Sequence, residues 1–203
     1  MLHFLIQYIH IYIKLEGIMD SNEIKDFKEG IFNLRTRRFG TVAEIMISKL
    51  INLSGSRNLA YDLHDVDNDD RIEVKFSTVM KANDSVINNN NVIVQCKKAS
   101  LSNRMMKSTE INTNRFDCNI QQIKRVEFDF LFYGLFFYDK IAIFRMSTDE
   151  VLTCVGYSDF QHRGNEGEGQ FHINNSSIDY HMENHFERWL TYEELYELFS
   201  VEV

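Results

Sequence analysis

The clearest pattern in the chain is a pair of segments within residues 59–77 in which apolar and polar residues alternate. Alternation of this kind is typical of half-buried strands. Residues 67–70, between the two segments, have the composition of a turn. The pattern therefore predicts a β-hairpin. On its second strand Glu73 and Lys75 point to one face and Val74 points into the core, because side chains alternate along a strand.

The length of the turn decides which aspartate of the first strand shares the face of Glu73 and Lys75. A two-residue loop places Asp62 opposite Lys75 and His64 opposite Glu73. A three-residue loop would put Asp65 on that face instead, since a shift of one residue turns every side chain to the other side. We favour Asp62 and keep Asp65 as the alternative. The aspartates within the turn itself are expected to be turn formers.

A lysine and two carboxylates on one face of a hairpin make a plausible site for a hard divalent metal, which takes oxygen ligands. The residues Asp62, Glu73 and Lys75 resemble the core motif of the PD-(D/E)xK nuclease superfamily, and within it the type II restriction endonucleases. Tyr61 stands where the superfamily name has proline, and the chain contains no proline. The likeness in motif covers roughly residues 35–98.

The resemblance implies an α/β fold, with a mixed sheet flanked by helices, and Mg²⁺-dependent, sequence-specific hydrolysis of double-stranded DNA that leaves 5′-phosphate ends. Asp62 and Glu73 would bind Mg²⁺, and Lys75 would orient or deprotonate the attacking water and stabilise the transition state. Glu44 matches a helix position where nucleases of this superfamily often place a supporting glutamate. A solvated helix-surface glutamate is the equally weighted alternative for Glu44.

The resemblance also bears on partners. A short palindromic target would call for a homodimer, because the symmetry of the protein then matches the symmetry of the site. A cognate DNA methyltransferase would belong to the same restriction system. The cysteines number three, an odd count, and they are widely spaced and form no Cys-x-x-Cys pair. This argues against a disulfide framework and suits a reducing cytoplasm.

Other segments follow periodicities that predict further elements. In chain order we predict helices at residues 23–31 and 39–51, a central strand at 92–98, helical character at 120–129, a buried aromatic hairpin at 128–146 with its turn near 139–140, and a C-terminal helix that Thr191 and Glu194 cap. Asp129 is unusual in such an apolar strand and is expected to cap or to pair with an arginine.

Composition and charge limit the class of protein. With 203 residues, 44% hydrophobic and 26% charged, the chain is most simply one globular domain. The net charge of −8 is unusual for a DNA-binding protein, but the charge is uneven: residues 95–125 carry seven Lys or Arg against two acidic residues. Three of these basic residues are candidate DNA contacts, namely Lys97, Arg104 and Lys107.

Residues 1–18 are apolar but interrupted by polar and charged residues, so they are too broken for a membrane span and lack the features of a signal peptide. We therefore expect no membrane association. Our hypothesis is that Met19 is the natural start, or that residues 1–18 form an additional amphipathic element. Residues 19–203 would then form a single nuclease domain.

Residues 159–172 form the second informative stretch. Three glycines within six residues indicate a tightly turned loop, and the spacing is not that of a phosphate-binding loop. The stretch is rich in side chains that read base edges through paired donors and acceptors. We predict a recognition loop whose DNA contacts are Gln161, His162, Arg163, Asn165 and Gln170. The alternative is a solvated connection whose polar residues are incidental.

Three alternatives to a restriction enzyme stay open. A structure- or repair-directed nuclease, such as a junction resolvase, would share the catalytic hairpin, and a sequence-specific fragment pattern would separate the two. A non-catalytic DNA-binding protein with a degenerate nuclease fold would be excluded by metal-dependent cleavage. The motif could also have arisen by chance on a plain hairpin.

Overall fold

The computed structural model describes residues 21–53, 55–56, 60–160 and 167–201. The predictions for residues 1–18 therefore lie outside the described residues. Among the described residues, no helix combines the length and the apolar character that crossing a membrane requires.

The described ranges form a mixed α/β structure. The α-helices are α1 (Ser21–Asn33), α2 (Thr36–Ile51), α3 (Val92–Lys98), α4 (Leu101–Arg104), α5 (Thr148–Thr153), α6 (Ile178–Asn184) and α7 (Tyr192–Ser200). The strands are β1 (Leu63–Asp65), β2 (Asp70–Thr78), β3 (Asp117–Ile123), β4 (Phe130–Phe136), β5 (Lys140–Ser147), β6 (Gly169–Asn174) and β7 (Phe186–Thr191). Two short 3₁₀ turns lie at Ser108–Glu110 and Arg125–Glu127.

The main sheet has five strands in the order β1-β2-β4-β5-β7. Strands β2 and β4 are parallel and the other neighbouring pairs are antiparallel, so the sheet is mixed. A parallel pair needs a long crossover, and here residues 79–129 supply it, with α3, α4 and β3 along the way. Strand β3 lies outside the main sheet and pairs with β6 in a separate two-stranded antiparallel sheet.

Each face of the main sheet is covered by its own hydrophobic core. Helices α1, α2 and α7 pack on one face, against side chains that include Val74, Phe136 and Ile141. The β3–β6 sheet and α6 pack on the other face, where Tyr133 and Phe144 lie. Because side chains alternate along a strand, Glu73 and Lys75 project from β2 on the side opposite to Val74.

Several predicted elements are confirmed. Both N-terminal helices, the first hairpin, the aromatic hairpin β4–β5 and the C-terminal helix are present, with bounds within a few residues of the prediction. The capping box of α7 is also present, because the Thr191 side chain accepts a hydrogen bond from Glu194 N and the Glu194 carboxylate accepts one from Thr191 N. Asp129 pairs with Arg71, as the prediction of an arginine partner required.

Two predicted elements are wrong. Residues 92–98 form helix α3 instead of a central strand, and three of its β-branched side chains, Val92, Ile93 and Val94, are exposed. The β-branched run suggested a buried strand, yet no strand neighbours it in the described sheets. Residues 120–129 lie largely in β3 and the 3₁₀ turn instead of a helix, because β3 pairs with a strand about fifty residues further on.

Gly134 lies on β4, between Phe76 of β2 and Ile143 of β5. A Cβ atom there would be 2.1 Å from the Ala142 carbonyl oxygen and 2.4 Å from the Phe76 ring. We expect Gly134→Ala to lower the free energy of unfolding by about 3 kcal/mol, because neither backbone nor ring can move without strain. Urea denaturation tests this. The control is Gly30→Ala in α1, where nothing lies within 4 Å and a gain of about 0.5–1 kcal/mol is expected.

Candidate functional site

The hairpin turn is longer than the two residues that we predicted. Leu63 pairs with Ile72 and Asp65 pairs with Asp70, so four residues separate the strands. In this register His64 lies opposite Arg71 instead of Glu73, and Asp62 falls opposite Glu73 instead of Lys75. The predicted register is therefore wrong by two residues. A shift of two keeps every side chain on its face, so Asp62 still shares the face of Glu73 and Lys75.

The Asp65 side chain closes the turn. Its Oδ1 accepts hydrogen bonds from the backbone N–H groups of Asp67 (3.1 Å) and Asn68 (3.3 Å), and its Oδ2 accepts one from the Asn68 amide (2.7 Å). These bonds lower the pKa of Asp65, the Asn68 side chain contributing most. Asp69 completes the turn with a left-handed backbone, φ 58°. The structure thus uses Asp65 as a turn former and leaves Asp62 beside the lysine.

Asp62, Glu73 and Lys75 form one connected cluster. The Lys75 ammonium donates a hydrogen bond to the Glu73 carboxylate and lies 3.6 Å from Asp62 Oδ2. Asp62 Oδ2 also accepts a 2.8 Å hydrogen bond from Val74 N, which fixes this carboxylate against the strand between its two partners. The three side chains are mostly shielded from water, with exposures of 22% for Asp62, 12% for Glu73 and 23% for Lys75.

Burial and charge act in opposite directions at this cluster. Burial raises the pKa of Glu73 from its ordinary 4.5 to about 7, despite the nearby Lys75 ammonium. Burial alone would lower the pKa of Lys75, but the carboxylates of Glu73 and Asp62 raise it above its ordinary value. Lys75 is therefore a cation at neutral pH, and Glu73 changes its charge near neutrality.

Two further glutamates contribute to the electrostatics of the cluster. Glu44 lies on α2, and its pKa is raised by burial and by the charge of Asp62. Glu127, in the Arg125–Glu127 turn, adds to the rise in the pKa of Glu73. The sequence pointed to Glu44 but not to Glu127. No periodicity could have revealed Glu127, since 54 residues separate it from Glu73 and a parallel crossover brings the two together.

Asp62 and Glu73 are the carboxylates of the cluster that could bind Mg²⁺. Mg²⁺ is usually bound through one or two carboxylates while it keeps several waters, and Asp62 and Glu73 supply two carboxylates side by side. In the described ranges, no group of three or more His, Cys, Asp or Glu side chains stands ready to hold a metal ion. The pair fits Mg²⁺ in its chemistry, provided that Glu73 exchanges its contact with Lys75 for the metal.

The raised pKa of Glu73 predicts a pH-dependent stability. A carboxyl whose pKa rises on folding stabilises the fold below its unfolded value, and this contribution is lost as pH rises through its folded value of about 7. Between pH 4.5 and 8 the loss is about 3 kcal/mol. We expect Glu73→Gln to remove this pH-dependent loss of stability. When both proteins are unfolded in EDTA, the free energy of unfolding of the variant should therefore rise relative to that of wild type by about 3 kcal/mol between pH 4.5 and 8.

Glu110→Gln is the control for this measurement. The Glu110 carboxylate binds Lys81, and this hydrogen bond lowers its pKa. Its contribution has the opposite sign, because the native state then releases the proton more readily than the unfolded chain. Relative to wild type, the control should therefore lose stability as pH rises. If the difference in free energy of unfolding between Glu73→Gln and wild type does not change with pH, the raised pKa of Glu73 is contradicted.

The candidate DNA contacts are spread over the molecule. Gln161, His162, Arg163 and Asn165 lie outside the described residues. Gln170 lies on β6, and its side-chain oxygen accepts a 3.0 Å hydrogen bond from the Asn119 amide. The remaining three, Lys97, Arg104 and Lys107, are exposed, and within the described ranges no hydrogen bond or ion pair joins them to Asp62, Glu73 or Lys75.

Lys97 and Lys107 can be placed more closely. Lys97 lies in the last turn of α3, because residues 92–98 form a helix instead of the predicted strand. Lys107 precedes a turn whose Ser108 N donates a 2.7 Å hydrogen bond to Asp139, between β4 and β5. Because Thr78, the last residue of β2, pairs with the last residue of β4, Lys107 lies near the end of β2 that is further from Glu73.

Comparison with known proteins adds no relative. No protein-family model matches the chain, and comparisons with curated proteins and with solved structures give no significant match. The resemblance to a nuclease superfamily accordingly rests on the residues of the hairpin and on their arrangement.

Proposed function

We propose that this protein is a Mg²⁺-dependent endonuclease that hydrolyses double-stranded DNA, with a core of the PD-(D/E)xK type. The observation that supports the proposal most is the cluster of Asp62, Glu73 and Lys75 on one face of the β1–β2 hairpin. A largely buried lysine with two carboxylates, one of them with a strongly raised pKa, is costly to maintain and is typical of functional sites.

Each member of the cluster has a role in the proposed reaction. Asp62 and Glu73 would hold Mg²⁺, which lowers the pKa of a bound water and neutralises charge on the scissile phosphate when it is present. The Lys75 ammonium, a cation at neutral pH, would orient the attacking water and donate hydrogen bonds to the phosphate oxygens as charge develops on them. The Glu44 carboxylate would support the site electrostatically from α2.

The test is a digest of unmethylated phage DNA with purified protein, in Mg²⁺ and in EDTA. Discrete fragments that require Mg²⁺ are expected, and sequencing of their ends should show 5′-phosphates and one common site. A smear, or a preference for branched substrates, would favour a repair nuclease or junction resolvase. Binding without cleavage would refute the enzyme and leave a DNA-binding protein with a nuclease-like fold.

The specific proposal is a type II restriction endonuclease that acts as a homodimer in the cytoplasm, alongside a cognate DNA methyltransferase. A two-fold target is matched by two copies of the same site. Sedimentation equilibrium at micromolar concentration, with and without DNA that carries the identified site, should give the mass of a dimer. A monomer under both conditions would contradict the homodimer.

A further inference from the structure

Helix α2 holds Glu44 beside the cluster. One side of the helix is apolar and packs on the main sheet. Glu44 lies next to this side and is half-buried, and the charges of Asp62 and Lys75 act on its carboxyl. Its Oε1 extends back over Gly40, one turn earlier, where an added Cβ would be 3.8 Å from that oxygen. The Glu44 carboxylate is therefore directed toward the N-terminal end of α2, as side chains of a helix generally are.

Arg37 lies on the same line of α2 as Glu44. Seven residues separate them, which is close to two full turns of about 3.6 residues, so their directions differ by only about 20° and their positions by about 10 Å along the axis. Gly40 and Thr41 flank this line between them. Because both residues are small, the helix surface from Arg37 to Glu44 is accessible to a bulky partner.

The Arg37 guanidinium is available for a ligand. Arg37 is exposed, and within the described ranges no ion pair, hydrogen bond or aromatic ring engages its guanidinium. Arg71 and Lys75, the basic residues of β2, are by contrast paired with carboxylates. Arginine presents its donors in a planar fork that matches the oxygens of a phosphate. The chemistry of Arg37 therefore fits a phosphate group.

The charge of the cluster makes such a cation necessary for binding DNA. Asp62, Glu73 and Glu44 carry up to three negative charges, and Lys75 carries one positive charge. Even with a divalent metal bound, the site would be no more than neutral. A DNA strand that crosses the cluster brings further phosphates, one per about 3.4 Å of rise along each strand. A cation on the neighbouring helix surface is needed to offset them, and Arg37 is placed to do so.

We propose that Arg37 binds a backbone phosphate of the DNA within about three nucleotides of the scissile phosphate, since about 10 Å along α2 corresponds to about three steps of rise. The contact holds the DNA backbone against α2 beside Glu44. It is independent of base sequence, as phosphate contacts generally are. This inference rests on the proposed nuclease function and adds to it a residue that binds the substrate.

The test compares Arg37→Ala with Arg38→Ala. Arg38 is also exposed and has no partner for its guanidinium within the part of the chain that the structure describes. It is the next residue of the same helix turn, but it lies about 120° around the helix from Glu44. Each substitution removes one positive charge from the same end of α2. The pair therefore matches the general attraction to DNA and differs in the face of the helix.

Binding to a DNA duplex of about 30 base pairs is measured in EDTA over a series of KCl concentrations, where each phosphate contact contributes about 0.9 to the slope of log K against log salt. We expect Arg37→Ala to reduce the slope by about this amount and to weaken binding at low salt about 10-fold. Arg38→Ala should leave the slope unchanged and the affinity within about two-fold. Arg37→Lys keeps the charge and should restore the slope.

Cleavage in Mg²⁺ gives a second readout. Arg37→Ala should raise KM about 10-fold and leave kcat within about two-fold, because the contact is made equally before and during the reaction. A merely structural role would lower the unfolding temperature and would not change the salt slope. Wild-type protein that cuts DNA, together with equal slopes for Arg37→Ala and Arg38→Ala, overturns this inference alone. Wild-type protein that binds DNA without cutting it, with the expected difference in slope, overturns the nuclease and keeps the phosphate contact. Wild-type protein that neither binds nor cuts DNA overturns both.

Discussion

Lys75→Ala should reduce Mg²⁺-dependent DNA cleavage by about 10²- to 10³-fold, the loss typical when one preorganised charge-stabilising donor is removed. The ammonium is held by Glu73 and Asp62 at a fixed place beside both carboxylates. Its loss removes the positive charge that would face the phosphate. Single-turnover cleavage with excess enzyme measures the effect, and DNA binding in EDTA should stay within a few-fold of wild type, since one charge among many contributes little to binding.

Lys81→Ala is the matched control for Lys75→Ala. Lys81 is also a partly buried lysine, 30% exposed against 23% for Lys75, and it forms an ion pair with Glu110 at 2.6 Å. Its removal should affect stability slightly and leave cleavage within about two-fold. Equal loss of cleavage in both variants would indicate a general effect on folding. Full activity of Lys75→Ala would refute the cluster as the catalytic site.

The local alternation of apolar and polar residues was sufficient to predict the part of the candidate site that lies on the hairpin. Alternation placed Glu73 and Lys75 on one face, and this held even though the turn has four residues instead of two. An error of two residues preserves the face, whereas an error of one would have exchanged Asp62 for Asp65. The turn length itself could not be read from composition, because Asp, Asn and Val at these positions suit several turn lengths.

Long-range pairing accounts for what the sequence pattern missed. The parallel pairing of β2 with β4 brings the Arg125–Glu127 turn beside Glu73, and nothing local in either segment specifies that pairing. Residues 120–129 were predicted to be helical, yet their first residues belong to β3, whose conformation is determined by its distant partner β6. One signal did exist: Asp129, a carboxylate beside a buried aromatic strand, required a cation, and Arg71 supplies it.

Asp62→Asn should reduce Mg²⁺-dependent DNA cleavage by about 10³-fold, an effect similar to that of Lys75→Ala. Asp65→Asn should leave cleavage within about two-fold of wild type. The two substitutions are chemically identical, and asparagine can keep the hydrogen bond from Val74 N at position 62 and those from the turn at position 65. At position 65 the change also removes the oxygen that accepts the hydrogen bond from the Asn68 amide. Retained cleavage in Asp65→Asn would therefore show that neither this carboxylate nor its turn contact is needed, and the comparison identifies the carboxylate that Mg²⁺ would need. Raising the Mg²⁺ concentration should partly restore Asp62→Asn if its defect lies in metal affinity.

The result that would contradict this prediction is a larger loss of cleavage in Asp65→Asn than in Asp62→Asn. Loss of cleavage in Asp65→Asn with an active Asp62→Asn would mean that the hairpin slips by one residue when DNA and metal bind, which would bring Asp65 to the face of Glu73. That slip would have to break the hydrogen bonds by which Asp65 closes the turn. Because those bonds lower the pKa of Asp65 and thus stabilise its ionised form in the turn, we expect the register to hold and Asp62 to be the residue that cleavage requires.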